Sequence, residues 1–192
     1  MAKRVKSNDK RTALLKATLN LVINNGFHDA PMSKIAKIAE VSPATIYIYF
    51  ENKQDLINQL YLEIKASFSQ HAFKNCDENK SIKESFELIW FNIAHYKLQA
   101  VEEAMFLSQC DNTPMIDDES RQEGLKHLQP LLDLWERGQE NGVIKLISPY
   151  LLYAYTIYPL AFLTSMQQKD SFQLTEKNLN EAFQSAWDSI KV

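Results

Sequence analysis

Glycine, proline and cysteine are scarce in this chain. Four glycines and six prolines in 192 residues leave few turn formers, which disfavours a β architecture and points to helices. Cys76 and Cys110 are the two cysteines. They stand at no metal-ligand spacing and suit a reducing compartment. No run of eighteen apolar residues occurs, so no membrane span is expected. The first residues, MAKRVKSNDKR, lack the apolar stretch of a signal peptide, and a cytoplasmic protein is expected. Phosphate-binding glycine loops, His/Cys/carboxylate metal spacings and nucleophile motifs are also missing. An enzyme is therefore not expected, nor a bound metal or cofactor.

What is present is an ordinary globular composition, 45% hydrophobic and 23% charged, on a chain long enough to bury a sizeable core. The net charge of -3 hides an asymmetry. Met1 to Lys65 holds ten Lys/Arg against six Asp/Glu, and the remainder eleven against eighteen. Lys3, Arg4, Lys6, Lys10, Arg11 and Lys16 are opposed only by Asp9 in the first sixteen residues. A basic end on an acidic body is expected when one domain meets phosphate, although a basic segment alone reads equally as a solvated tail.

The most informative stretch is 33–53, SKIAKIAEVSPATIYIYFENK. Ile35, Ala36 and Ala39 lie at helical spacing. Ser42 is a good N-cap, and Pro43 behind it suits the first helical position. A helix from Pro43 to about Phe50 would bury Ile46 and Phe50 and turn Thr45, Ile48 and Tyr49 outward. Eight residues span roughly 12 Å, about the width of a DNA major groove. Asn52 caps the next helix, with Asp55 at its third position. Lys53 at its first position opposes the macrodipole, which a nearby phosphate would explain.

This run resembles the DNA-binding domain of the TetR family of bacterial transcriptional regulators. The resemblance rests on Ile35-Ala36, Ala39-Glu40-Val41-Ser42, Thr45-Ile46-Tyr47, Tyr49-Phe50, Asn52-Lys53 and Leu56, and extends back through Leu14, Ala17, Leu21, Gly26 and Phe27. Two positions depart from it. Glu40 stands where the family often has glycine; a left-handed residue there would cost on the order of 1–2 kcal/mol. The second helix lacks the usual Thr or Ser cap, so Pro31 is expected to open it with Ser33 as the nearest hydroxyl.

The resemblance implies that Pro43, Ala44, Thr45, Tyr47 and Ile48 approach bases or backbone, and Ser42, the cap before them, is counted with the DNA-binding residues. Ala44 and Ile48 carry no donors and would touch thymine methyls or sugar. Thr45 and Tyr47 would donate to phosphate or a base edge. Ser33, Tyr49 and Lys53 are phosphate contacts by resemblance, and Lys34 or Lys37 would reach in from the preceding helix. Tyr47 reads alternatively as a core tyrosine, and Lys53 as a solvated surface lysine.

The whole chain reads as all-α, with about nine helices. An N-terminal three-helix helix-turn-helix domain (1–52, with a basic arm at 1–7) is followed by a connecting helix (53–74) and a C-terminal helical ligand-binding and dimerisation domain (75–192). The first helix is expected near 8–25. Candidate later helices are 81–98, 100–109, 118–140 (kinked or split at Pro130), 149–168 (kinked at Pro159) and 175–190, with a loop at 111–114. The 149–168 segment is apolar nearly all round, and Leu179, Phe183, Trp187 and Ile190 form a stripe on the last helix. Pattern and resemblance together imply a homodimer through the last two helices, involving Leu151, Tyr158, Leu179, Phe183, Trp187 and Ile190; an intramolecular core is the alternative.

Trp90, Phe91, Phe106, Trp135, Tyr155 and Phe162 are candidate lining for a small hydrophobic or amphipathic effector. Aromatic stripes at helical spacing are more often plain core, which is the alternative here. The functional expectation is a dimeric regulator on a double-stranded palindromic operator, acting as a repressor released by its effector. The alternative is a ligand-independent architectural or cell-cycle DNA-binding protein of the same fold.

Overall fold

The computed structural model describes residues 2–77 and 79–192, with side chains from Asp9 onward. In chain order its helices are α1 (Ala2–Asn25), α2 (Met32–Ile38), α3 (Pro43–Ile46), α4 (Lys53–Ala72), α5 (Ile82–Gln99), α6 (Val101–Asn112), α7 (Asp118–Lys126), α8 (Gln129–Glu140), α9 (Pro149–Thr156), α10 (Tyr158–Gln168) and α11 (Glu176–Ile190). The only β pairing among the described residues is a bridge between Ile144 and Lys191. The all-α reading therefore holds.

Two of the expected helices are each divided, which lifts the number above nine. Segment 118–140 splits ahead of Pro130, which sits in the first turn of α8, where its missing N–H costs nothing. Segment 149–168 breaks at Ile157. Pro159 cannot donate to the Tyr155 carbonyl, and Leu160 N bonds to Ile157 O at 3.1 Å instead. The break leaves the Thr156 carbonyl without its usual helical donor; the Trp90 indole N–H takes it at 2.9 Å.

Other boundaries also moved. The backbone of α1 is helical from Ala2, so the expected arm continues the helix; nothing before Gly26 interrupts it. The α6 helix runs on to Asn112, into the loop expected at 111–114. Pro31 is the N-cap of α2, with no side-chain cap, so Ser33 does not serve as one. The α3 helix stops at Ile46 and continues as a turn, in which Ile48, Tyr49 and Phe50 donate to Thr45 and Ile46 carbonyls at 3.1 Å.

The chain forms two compact units, Met1–Ala66 with Glu102–Gly124, and Ser67–Val101 with Leu125–Val192. The first buries Leu14, Ala17, Leu21 and Val22 of α1, Ile35 and Ala36 of α2, Ile46 and Phe50, and Leu56, Leu60 and Ile64 of α4. Phe106, Leu107 and Cys110 of α6 complete it. Polar pins hold the later piece: Gln54 Nε2 donates to Met115 O at 2.8 Å, and Asn58 donates to Asp117.

The second unit is built on aromatics. Phe86 packs on Trp135, Phe183 and Trp187 with ring centroids 6.0 to 6.4 Å apart, and Trp90 meets Phe183 at 5.7 Å. A reciprocal cap between Ser81 and Glu84 opens α5. Lys145 N to Ile190 O (2.8 Å) and Val192 N to Val143 O (3.1 Å) fasten the last helix.

Candidate nucleic-acid interface

The expected reader is a helix-turn-helix held from behind. The α2 helix ends on Glu40, whose φ of 55° is left-handed. Glu40 N bonds to Lys37 O (3.2 Å) and Val41 N to Ala36 O (3.0 Å), the paired closure that satisfies a helix's last carbonyls. Ser42 then caps α3: its Oγ accepts from Thr45 N at 3.3 Å and lies 2.8 Å from Thr45 Oγ1. Ile46 and Phe50 are buried against the support.

What remains faces solvent. Tyr47 is 59% exposed and Ile48 76%, so Tyr47 is not a core tyrosine. Pro43 and Ala44 are exposed; Thr45 and Tyr49 are half-buried. Ser33, Lys34 and Lys37 are exposed on α2. Ile38, exposed on the same helix, was missed because the IAKIA pattern reads as one apolar stripe. Exposed apolar side chains beside hydroxyls and lysines suit methyl contacts to bases and donors to phosphate.

Two basic residues are engaged internally. Arg11 pairs with Glu63, donates to Gln59 at 2.8 Å and lies 5.5 Å from the centroid of the Phe50 ring. Lys53 donates to the carbonyls of Phe27 and His28 and stands over the Phe27 ring. Burial lowers its pKa, against a smaller opposing pull from Asp29. The side chains of Lys3, Arg4 and Lys6 lie outside the described residues.

The expected effector residues are not brought together. Phe106 is buried in the first unit; Trp90 and Trp135 are in the core of the second. Phe91 is half-buried against Trp90 (5.2 Å) and Phe183 (5.6 Å). Tyr155 and Phe162 face outward. The second unit instead opens a groove of about 450 Å³. Phe73, Cys76 and Asp77 line it from one side, Ser85 and Ile89 of α5 from another, and Pro130, Asp133, Leu134 and Arg137 of α8 from a third. The Trp135 indole N–H is buried with no hydrogen-bond partner among the described residues.

The expected pairing residues divide in the same way. Leu179, Phe183, Trp187 and Ile190 are consumed by the chain's own core, because their stripe faces α5 and α9. Leu151 and Tyr158 are exposed, in a stripe with Tyr155 and Phe162.

A small, doubly capped helix-turn-helix with an outward reading face, attached to a larger helical unit, defines a DNA-binding regulator. The family models agree. Residues 14–60 match that of the bacterial regulatory proteins, tetR family, and residues 81–191 that of the tetracyclin repressor-like C-terminal domain. The chain belongs to the TetR family of transcriptional regulators.

An uncharacterized HTH-type transcriptional regulator of Haemophilus influenzae is 26% identical over 95% of this chain and 96% of its own length. The crystal structure of a TetR family transcription regulator from Marinobacter aquaeolei superposes with a TM-score of 0.90 at 27% identity, covering 100% of this chain and 99% of that one. FadR of Bacillus subtilis, solved in complex with stearoyl-CoA, shares the fold at a TM-score of 0.68 and 21% identity, covering 92% of this chain and 95% of that one.

Proposed function

We propose that the protein is a homodimeric, effector-responsive repressor that reads a palindromic operator through α3. The observation that carries this reading is the exposure of Tyr47 and Ile48 on a turn whose other face, Ile46 and Phe50, is fully buried. Ala44 and Ile48 contact thymine methyls, and Tyr47 and Thr45 donate to base edges or phosphate. Pro43 packs on backbone beside the Ser42 cap, and Ser33, Lys34 and Tyr49 grip phosphate. No Arg, Asn or Gln lies on α3, so readout leans on methyl contacts and DNA shape.

Pairing uses the outer face of α9 and α10. Leu151, Tyr155, Tyr158 and Phe162 recur at helical spacing and are all exposed, and Tyr150 extends the patch. A lone soluble protomer seldom leaves such a stripe uncovered. Paired reading helices then fall on half-sites roughly 34–36 Å apart, one DNA turn.

An effector acts through the C-terminal part, residues 75–192, and the 53–74 helix transmits it to the reader in 1–52. The B. subtilis relative bound to stearoyl-CoA supports a hydrophobic or amphipathic effector. So does the groove, whose apolar floor of Phe73, Ile89 and Leu134 is edged by Ser85 and Arg137. Release requires a coupling free energy of typically about 1–3 kcal/mol between effector and operator. The filled aromatic core around Phe86 and Trp135 favours a second reading, a ligand-independent architectural or cell-cycle DNA-binding protein. We place the protein in the cytoplasm; among the described residues no helix is long and apolar enough to cross a membrane.

The test is selection of random duplexes on the purified protein, followed by sequencing. A recovered palindrome with half-sites about one turn apart supports a dimeric reader; no enriched sequence sinks it. Thermal shift with long-chain acyl-CoA and with fatty acid then separates the readings: stabilisation with loss of operator supports the effector, and no shift favours the architectural protein.

A further inference from the structure

We propose that the groove beside α5 and α8 binds an amphipathic carboxylate, with its head on the Arg137 guanidinium and the Ser85 hydroxyl and its body on Phe73, Ile89 and Leu134. The inference deepens the effector reading above and rests on it for any consequence at the operator. All five residues line the groove and belong to the second unit. Ser85 is 6% exposed. A hydroxyl so buried in a helix ordinarily bonds back to a carbonyl one turn earlier. The Ser85 backbone N–H takes the Ser81 carbonyl at 2.9 Å. Its Oγ has no hydrogen-bond partner among the described residues.

The charged groups choose the sign of the ligand. Two carboxylates line the groove, and both are already engaged. Asp133 accepts from Gln129 Nε2 at 2.7 Å, and Asp77 accepts from the backbone N–H and side-chain amide of Asn79 at 3.0 and 2.8 Å. Burial raises the Cys76 thiol, which therefore stays neutral. Of the charged groups in the lining, only Arg137 has its side-chain donors unused among the described residues. A guanidinium and a hydroxyl are thus left over, and both lack an acceptor. A carboxylate serves both, and the planar fork can hold it bidentately. A cationic head would leave the guanidinium unsatisfied and meet like charge. The two helices run close at this end: a Cβ on Gly138, next to Arg137, would stand 3.0 Å from Ile82 Cγ2, in the turn of α5 before Ser85. The apolar floor and a volume of about 450 Å³ suit a body of modest size.

The test is calorimetric titration of the full-length protein with octanoate, 1-octanol and octyltrimethylammonium, which share a chain and differ in the head. Octanoate is expected to bind about tenfold more tightly than the alcohol or the cation. Arg137→Gln, at an exposed position, should weaken octanoate about tenfold and leave octanol unchanged. Ser85→Ala should weaken octanoate about fivefold while Tm holds or rises, because the hydroxyl it removes is bonded to nothing in the free protein. Equal binding of the three amphiphiles overturns the proposal. So does octanoate affinity untouched by Arg137→Gln or by Ser85→Ala. Operator affinity is read in parallel. Octanoate that binds as expected and leaves operator affinity unchanged supports the site and refutes the groove as the effector site. Operator release by long-chain acyl-CoA without octanoate binding refutes the carboxylate site and leaves the effector reading standing.

Discussion

Gly124 lies on the ring of Tyr61. A Cβ at Gly124 would stand 2.4 Å from Cε1 and 2.6 Å from the hydroxyl oxygen of Tyr61. The α7 backbone therefore rests directly on an α4 side chain, within the first unit.

Glycine inside a helix normally costs about 1 kcal/mol relative to alanine. Here the sign reverses. Gly124→Ala is expected to destabilise by about 1–3 kcal/mol through overpacking. Urea unfolding of Gly124→Ala, Tyr61→Leu and the double variant forms a cycle. Relief of the alanine penalty in the Tyr61→Leu background is the expected coupling; additive effects would show that the two residues do not touch.

Glu40 carries the opposite lesson. Its φ of 55° is strained for a side-chain-bearing residue, and Glu40→Gly should relieve on the order of 1 kcal/mol. A rise in Tm of about 2–4 °C is expected, with DNA affinity unchanged or improved. A lower Tm would mean that the glutamate makes compensating contacts.

Alkaline pH should loosen the first unit. Burial, then the charge of Asp111, pushes the Cys110 thiol and the Tyr61 phenol up to about 12, from 9.0 and 10.0. The folded chain keeps protons that the unfolded chain sheds. Their stabilising contribution is therefore complete below about pH 9 and drains as pH rises toward 12. Lys65 works the other way. Burial lowers its folded pKa below 10.5, and that penalty is relieved as pH climbs from the lowered value to 10.5. Above pH 10.5 only the thiol and the phenol still change, so net stability should fall between about pH 10.5 and 12. Chemical denaturation across that range checks it, and Cys110→Ala should flatten the fall.

Tyr47→Ala is expected to weaken selected-operator binding at least tenfold while moving Tm by less than about 2 °C, because a largely exposed side chain carries little of the fold. Normal operator binding by this variant would remove α3 as the reader.

For pairing, Tyr158→Glu with Phe162→Glu should yield a folded monomer in sedimentation. Trp187→Glu should instead unfold the C-terminal unit, since Trp187 is 5% exposed and stacks on Phe86 at 6.0 Å. A folded, monomeric Trp187→Glu variant would return α11 to the interface.

Local chemistry made much of this protein legible without a structure. Ser42, Pro43 and Asn52 are caps whose meaning needs only their neighbours, and Pro130 and Pro159 interrupt helices for want of an N–H. Ile46 and Phe50, four residues apart, announced a buried face and the exposed Ile48; the same period turned Thr45 and Tyr49 outward, which are half-buried, and left Tyr47, which is exposed, open between surface and core. These features determined the all-α class and the helix-turn-helix by sequence alone, and the family followed from the resemblance over Ile35 to Leu56.

What lay beyond reach was which surface covers which. The stripe of Leu179, Phe183, Trp187 and Ile190 has the same period whether a second copy or the chain's own α5 and α9 buries it. Tertiary packing decided for the chain's own core, and left Leu151, Tyr155, Tyr158 and Phe162 outside. In the same way Lys53 was legible as a misplaced cation, but its partners, the Phe27 and His28 carbonyls, stand about twenty-five residues away in sequence. Helical period and capping are properties of a few consecutive residues; burial and donor–acceptor pairing across such separations exist only once the chain has closed on itself.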